Sequence, residues 1–301
     1  MQYAIRHETE YRYAQPVTLE HVSAHLRPRA VAFQTCQNFA LDITPTPMQL
    51  REYCDYFGNP CTHFMIEGPH ERLLVSATCR VHVRDRDKPT EGGCSAWESL
   101  RDALRADVSQ AGLEAFQYTF DSPLASGSHE LRSYVSKSFK PGRPVFDAAQ
   151  DLNRRIHQDF TFDPVATDVT TPVSKVFAER RGVCQDFAHL MIACLRTIGL
   201  PARYVSGYLR TEPPPGKPRL IGADASHAWV SVYGAAAGGS GWLDLDPTND
   251  CVVGSDHVTV AWGRDFADVT PVKGVILGGG EHTVQARVDI VPEGEATPLD
   301  T

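Results

Sequence analysis

Three separated residues of this chain have the types that covalent acyl-transfer chemistry requires. Cys184 follows a glycine-bounded turn at the start of an amphipathic helix pattern, His227 lies in a predicted strand, and a later strand supplies carboxylates. A cysteine attacks as the thiolate, which a helix N-terminus and a neighbouring imidazole both favour. A carboxylate can in turn orient the imidazole. The order Cys, His, Asp therefore predicts a nucleophilic cysteine that works without a metal or a cofactor.

The strand that supplies the carboxylate contains two candidates. Alternation along the strand puts Asp244 and Asp246 on one face, with leucines on the other. In the earlier strand, His227 and Trp229 share a face in the same way. The period of two therefore leaves open which aspartate orients the imidazole.

Helices and strands with clear patterns are predicted to position these residues. Apolar residues recur at helical spacing in 145–160, 171–177 and 184–198, and Gly199 ends the last of these helices. The strands predicted after them are 202–209, 227–233, 242–246, 258–262 and 283–290. Two loops interrupt these strands, a proline-rich segment at 212–218 and an alanine- and glycine-rich segment at 234–241. Helices followed by an antiparallel sheet indicate the α+β class.

The first third of the chain has a different pattern. Residues 1–84 contain apolar–polar alternation broken by turn signals, which predicts an antiparallel sandwich or a barrel-like unit. A charged segment rich in proline and glycine follows at 84–93. We therefore expect a β-sandwich-like domain at 1–88 and a catalytic domain at 89–301.

The composition is typical of a globular protein, with 42% hydrophobic and 22% charged residues. A formal net charge of −8 argues against nucleic-acid binding, because phosphates need a basic surface. Charges near the N-terminus argue against a signal peptide, and no apolar run approaches the roughly 20 residues that cross a bilayer. We expect a cytoplasmic protein that does not bind membranes. Eight irregularly spaced cysteines without a C-x-x-C pair predict mostly free thiols and no structural zinc.

Four separated blocks closely resemble the core of the transglutaminase-like superfamily. These blocks are 182–188, 199–208, 227–230 and 242–248, and they occur in the family's order. The N-terminal region is similar to the domain that accompanies this core in a group of bacterial transglutaminase-like proteins. The resemblance implies a papain-like α+β core preceded by an antiparallel β-rich domain.

The resemblance also implies a role for each catalytic residue. Cys184 is the expected nucleophile and His227 its acid–base partner. Asp246 is the expected orienting carboxylate, because the family's aspartate directly precedes a Pro-Thr or Ser-Thr step. Neighbouring polar and aromatic residues are expected to contact the substrate, namely Gln185, Tyr208, Trp229 and Asp244.

The activity that the resemblance implies is acyl transfer or hydrolysis at a peptide or carboxamide bond through a thioester. The expected partner is thus a peptide or protein substrate. A peptidase or amidase is favoured, because this chain combines a compact core with one β domain, unlike the animal cross-linking enzymes. A protein-glutamine transferase and a non-catalytic peptide-binding module remain alternatives. So do an acyltransferase that uses a small thioester donor and a zinc site at Cys184, His227 and Asp246.

Overall fold

The computed structural model describes residues 1–87, 89–90, 92–211, 225–234 and 241–294. Helices account for 24% of the chain and strands for 44%, which confirms the α+β class. The proline-rich loop predicted at 212–218, and the loop at 234–241 apart from its end residues, lie outside the described residues. In the described ranges, no helix is long and apolar enough to span a bilayer.

An antiparallel sheet forms the N-terminal region, as predicted. Its first strands are β1 (Gln2–Ala24), β2 (Gln34–Thr44), β3 (Gln49–Cys54) and β4 (Pro60–Val83). The long strands β1 and β4 pair along most of their length, while β3 and β2 pair with successive halves of β4. One apolar cluster joins Val22 of β1 to Phe64 and Leu73 from different halves of β4. The sheet thus folds over on itself, and bulges in β1 between Arg12 and Leu19 allow the bend.

Six α-helices follow within the described part of the chain. They are α1 (Trp97–Ala106), α2 (Gln110–Phe116), α3 (His129–Val135), α4 (Val145–Asp159), α5 (Val173–Glu179) and α6 (Cys184–Thr197). Single 3₁₀ turns occupy Gln117–Thr119 and Phe266–Asp268. Helices α4, α5 and α6 begin within two residues of their predicted starts. The short helices between residues 97 and 135 had no clear sequence pattern.

A second antiparallel sheet carries most of the residues with predicted chemistry. Its strands are β7 (Ala202–Leu209), β8 (Ala225–Tyr233), β9 (Trp242–Asp246), β10 (Cys251–Val252) and β11 (His257–Gly263), in the order β10-β9-β8-β7-β11. A two-residue parallel pair, β5 (Thr161–Phe162) and β6 (Arg181–Gly182), precedes α6. Helix α6 is buried along most of its length and packs on β7 and β8. Ala228, Val230 and Val232 join this core, so alternation turns His227 and Trp229 to the opposite face.

The last two strands return to the N-terminal sheet. β12 (Val272–Gly278) pairs with the second half of β1, and β13 (His282–Pro292) pairs with its first half. Residues 89–301 were all predicted to belong to the catalytic domain, whereas this pairing places strands within 272–292 in the sheet of the N-terminal region. The physical reason is that β4 pairs with only one edge of β1. Without β12 and β13, the other edge of β1 would present a long row of unpaired backbone groups. Alternation identifies a strand but not its partner.

Candidate active site

Cys184 is the first residue of α6, and a local hydrogen-bond network fixes that helix start. The Asp186 carboxylate accepts from the Val183 N–H at 2.8 Å and from the Thr167 hydroxyl at 2.6 Å. A Cβ at Gly182 would lie 2.6 Å from the same carboxylate oxygen, so the turn requires glycine. The thiol therefore sits half-buried at the positive end of the helix dipole.

The N-terminal turn of α6 also offers free backbone donors. The first N–H groups of a helix have no intrahelical partner. In the described part of the chain, the N–H groups of Cys184 and Gln185 pair with no acceptor. These donors lie beside the thiol and are suited to stabilising the oxyanion of a tetrahedral intermediate.

His227 of β8 links the thiol to a carboxylate. Its Nε2 lies 2.8 Å from Oδ2 of Asp246, and Cys184 is near enough to act on the charge of the imidazole. Burial opposes protonation of the imidazole, but the hydrogen bonds to Asp246 and Cys184 outweigh it and raise the pKa of His227 to about 10. The imidazole is therefore protonated at neutral pH and can serve as a proton donor beside Cys184.

Asp246 at the end of β9 is fully buried and accepts five hydrogen bonds. Its Oδ2 accepts from His227 at 2.8 Å, His257 at 3.1 Å and the Asn249 amide at 2.7 Å. Its Oδ1 accepts from the backbone N–H groups of Thr248 at 2.9 Å and Asn249 at 3.2 Å. Burial opposes ionisation, but the hydrogen bonds from His227 and His257 prevail and hold the pKa of Asp246 far below its usual range. The group therefore stays a carboxylate in a fixed orientation.

The sequence analysis missed His257 as a member of this site. His257 begins β11, is buried, and points its Nε2 at the same oxygen that holds His227. Its Nδ1 is buried and pairs with no described residue. The available signal was a histidine directly before the strand predicted at 258–262. Linking that strand to Asp246 required the strand order, which alternation does not reveal.

Asp244, which was predicted to contact substrate, is bonded to two other side chains of the protein. Its Oδ2 accepts from Arg86 at 2.5 Å and from the Trp229 indole N–H at 3.1 Å, and the side chain is buried. Burial opposes ionisation, yet the charges of Arg86 and Arg203 lower the pKa of Asp244. The carboxylate is therefore already neutralised by arginine inside the protein.

Two more of the predicted substrate contacts are buried. Trp229 has no exposed surface, and its ring lies 5.2 Å from His257 and 6.2 Å from His227, between centroids. The Trp229 ring therefore packs against both imidazoles. Tyr208 is also buried, and its hydroxyl lies 3.0 Å from Nδ1 of His7 in the N-terminal sheet. Tyr208 thus joins the two parts of the protein rather than facing the thiol.

Gln185 remains accessible. It follows Cys184 in α6, is partly exposed, and donates its side-chain amide to the Val169 carbonyl at 3.1 Å. Of the four predicted substrate contacts, Gln185 is the one that the structure leaves beside the thiol and open to solvent.

The zinc alternative involves a different residue set from the predicted one. Across the described ranges, the one cluster suited to a metal is His227, Asp246 and His257, whose ligand atoms lie within 4.8 Å of one another. Cys184 is not part of it. Both imidazoles already donate to Oδ2 of Asp246. Hydrogen bonding therefore accounts for the arrangement of all three side chains.

Family models match two parts of the chain. The bacterial transglutaminase-like N-terminal region matches residues 3–82, and the transglutaminase-like superfamily core matches residues 132–247. The crystal structure of a proposed cysteine protease from Cytophaga hutchinsonii superposes with a TM-score of 0.74. That likeness covers 99% of this chain and 93% of the other at 20% identity, so it concerns the fold.

Curated relatives agree with these matches. An uncharacterized protein of Mycobacterium tuberculosis is 41% identical over 98% of this chain and 94% of its own length. One from Mycobacterium leprae is 31% identical over 94% and 96%. A protein-glutamine gamma-glutamyltransferase of Pseudomonas aeruginosa is 37% identical over 100 residues, which are 32% of this chain and 14% of that enzyme. Near full-length relatives and both matched regions together show that this chain belongs to the transglutaminase-like superfamily.

Proposed function

We propose that this protein cleaves a peptide or carboxamide bond by cysteine-dependent acyl transfer through a thioester on Cys184. One observation carries the proposal: Cys184 stands at a helix N-terminus beside His227, whose imidazole is hydrogen-bonded to the buried carboxylate of Asp246. A thiolate with an imidazolium beside it is a competent nucleophile with a proton donor already in place. The proposed partner is a peptide or protein that presents the bond at this helix end.

The first half-reaction forms the thioester. The Cys184 sulfur attacks the carbonyl carbon, and the carbonyl oxygen becomes an oxyanion that the free N–H groups at the start of α6 stabilise. As the C–N bond breaks, the His227 imidazolium gives its proton to the departing nitrogen. Asp246 fixes the ring so that Nε2 stays on the carboxylate and Nδ1 is the nitrogen left for the thiol.

The second half-reaction releases the acyl group. Water or an amine attacks the thioester carbon, and neutral His227 takes a proton from this nucleophile. The C–S bond then breaks and sulfur leaves as the thiolate. This step restores the starting ion pair, so the enzyme turns over without another reagent.

Water is the proposed acyl acceptor, which makes the protein an amidase or peptidase. The fold is shared with a proposed cysteine protease of Cytophaga hutchinsonii, which supports this choice. An amine acceptor is the second candidate, because the relative from Pseudomonas aeruginosa is a protein-glutamine gamma-glutamyltransferase. Both reactions share the acyl-enzyme, and the choice depends on how well the acceptor side excludes water.

One experiment tests the shared step and the choice of acceptor. The protein is incubated with a glutamine-containing peptide library, with and without a primary alkylamine, and products are identified by mass spectrometry. Hydrolysis releases ammonia and leaves glutamate, or cuts the peptide, whereas transfer adds the amine. Cys184→Ser is the matched control and should abolish all of these products. Equal product formation by that variant would overturn the proposal.

A further inference from the structure

A cavity of about 750 Å³ lies between the N-terminal sheet region and the core, away from the catalytic residues. Its walls include two arginines and several aromatic residues, among them Arg29, Tyr56, Tyr118, Arg203, Trp242 and Trp262. Trp242 and Asp246 lie at opposite ends of β9, about 13 Å apart at the rise of an extended strand. The volume suits a ligand of small-molecule or dipeptide size.

Arg203 is the unusual feature of this cavity. Its guanidinium carbon lies 4.2 Å from the ring centre of Trp242 and 3.8 Å from that of Trp262. The two indoles thus cover its faces, and its Nε is buried without a hydrogen-bond partner. Within the described ranges, Arg203 donates no hydrogen bond and forms no ion pair. Burial lowers its pKa to about 10, so it still carries a positive charge at neutral pH.

Charges around Arg203 are unbalanced. Arg29 stacks on Trp262 at 3.5 Å, which requires the opposite face of the indole, and it bonds to the neutral oxygens of Phe57 and Asn59. The buried carboxylate of Asp244 acts on Arg203 through its charge, but its hydrogen bond is with Arg86, so one carboxylate faces three arginines. The cavity therefore contains two guanidinium groups, neither of which pairs with a carboxylate of the described residues.

One acidic residue lines the cavity without correcting this imbalance. Glu114 of α2 accepts a hydrogen bond from Gln110 at 2.8 Å and is exposed to solvent. A half-buried cation with a buried, unpaired N–H donor has lost part of its hydration, which an arriving anion can replace. The aromatic walls favour an anion that carries an apolar body.

We propose that this cavity is a binding site for a carboxylate attached to an aromatic or apolar body, with the guanidinium of Arg203 as its anchor. A carboxylate accepts paired N–H donors from one guanidinium, and the rings of Trp242 and Tyr56 contact the apolar part. A free organic acid and the C-terminus of a peptide offer the same group. The site is separate from the thiol, so its occupancy does not depend on the proposed acyl transfer.

Tryptophan fluorescence and titration calorimetry of the full chain test this proposal, because two indoles line the cavity. The probes are N-acetyl-phenylalanine and its amide, followed by one short peptide ending in phenylalanine with a free or an amidated C-terminus. The acid should bind at least about tenfold more tightly than the amide, as expected for a charge-assisted bidentate contact. Binding of the free acid alone would identify a small-molecule ligand, and binding of the peptide as well would identify a chain terminus.

Variants connect the binding to the cavity. Arg203→Gln should weaken the acid at least about tenfold and leave the amide unchanged, whereas Arg51→Gln, an exposed arginine on β3, should change neither. Tyr56, which is 83% exposed, gives a wall variant that does not threaten the fold, and Tyr56→Ala should weaken the acid several-fold. Equal affinity for acid and amide in the wild type, no binding of either acid, or an unaffected Arg203→Gln variant would each overturn the proposal.

Discussion

The two aspartates of β9 give the sharpest test of the site, because they lie two residues apart on one strand and have different partners. Asp246 accepts from His227 and four other donors, whereas Asp244 accepts from Arg86 and Trp229. Substitution of either residue by asparagine keeps the shape and removes the charge. We expect Asp246→Asn to abolish catalysis and Asp244→Asn to reduce stability.

The expected magnitudes follow from the hydrogen bonds. All five contacts to Asp246 come from donors, so the NH₂ group that Asp246→Asn introduces would face at least two of them in either orientation. The substituted side chain also no longer supports the imidazolium of His227, and the corresponding change in a Ser-His-Asp triad lowers kcat by about 10⁴. We expect a loss of about 10³ to 10⁴ in kcat/KM, with a lower pKa on the basic limb of the pH profile.

Asp244→Asn acts mainly on the folded state. The substitution leaves the buried guanidinium of Arg86 without its carboxylate, and breaking a buried ion pair typically costs about 3 to 5 kcal/mol. Activity per folded molecule should fall by less than about tenfold, because no bond from Asp244 reaches His227. Urea unfolding gives the stability of each variant, and ammonia release from a glutamine peptide gives the activity. Greater loss of activity in Asp244→Asn than in Asp246→Asn would refute the assignment of the orienting carboxylate.

Four further outcomes are expected. Cys184→Ser should retain the wild-type melting temperature, and its rate of acyl-enzyme formation, followed by intact mass, should fall at least about thousandfold. A serine acyl-enzyme that forms at a similar rate would contradict this expectation. His257→Ala removes one hydrogen-bond donor from Asp246 and should lower the unfolding free energy by about 1.5 to 3 kcal/mol. It should also lower kcat, with partial rescue in His257→Gln. An unchanged kcat in His257→Ala would show that His257 does not position the catalytic residues. The pKa of His227 rises from 6.5 to about 10 on folding, so the protonated imidazole stabilises the fold fully below pH 6.5 and no longer does so towards pH 10. The unfolding free energies of wild type and His227→Gln should therefore converge between these pH values. A constant difference would count against the raised pKa. Prolonged chelation should leave activity unchanged, and recovery of lost activity by added zinc would instead support a metal in the His227, Asp246 and His257 cluster.

Local signals in the sequence were sufficient to locate the elements that carry the thiol and the orienting carboxylate. The apolar stripe of α6 and the glycines around it located the helix start at Cys184, and the structure has the same first residue. Alternation located β7 and β9 at their observed bounds. These predictions succeeded because periodicity and turn residues act within a few positions along the chain.

Contacts between residues that are far apart in the sequence could not be predicted from these local signals. Alternation placed Trp229 and Asp244 on the face of His227, but it did not show that Arg86, 158 positions away, would cover that face. The hydrogen bond from His257 depends on the strand order, and the return of β12 and β13 depends on the free edge of β1. Each of these features requires knowledge of which elements meet, which a single sequence does not encode locally.

The activated sulfur of Cys184 can be tested most directly by site-resolved alkylation near pH 6, where ordinary thiols are almost fully protonated. Limiting iodoacetamide is added to the native protein, and labelling of Cys184 and exposed Cys54 is quantified by peptide mass spectrometry. Cys54 has the more accessible thiol, so it should win if exposure alone decides. We predict that Cys184 reacts at least about tenfold faster than Cys54, and that His227→Gln abolishes the difference. Labelling of Cys184 no faster than Cys54 in the wild type would contradict the account.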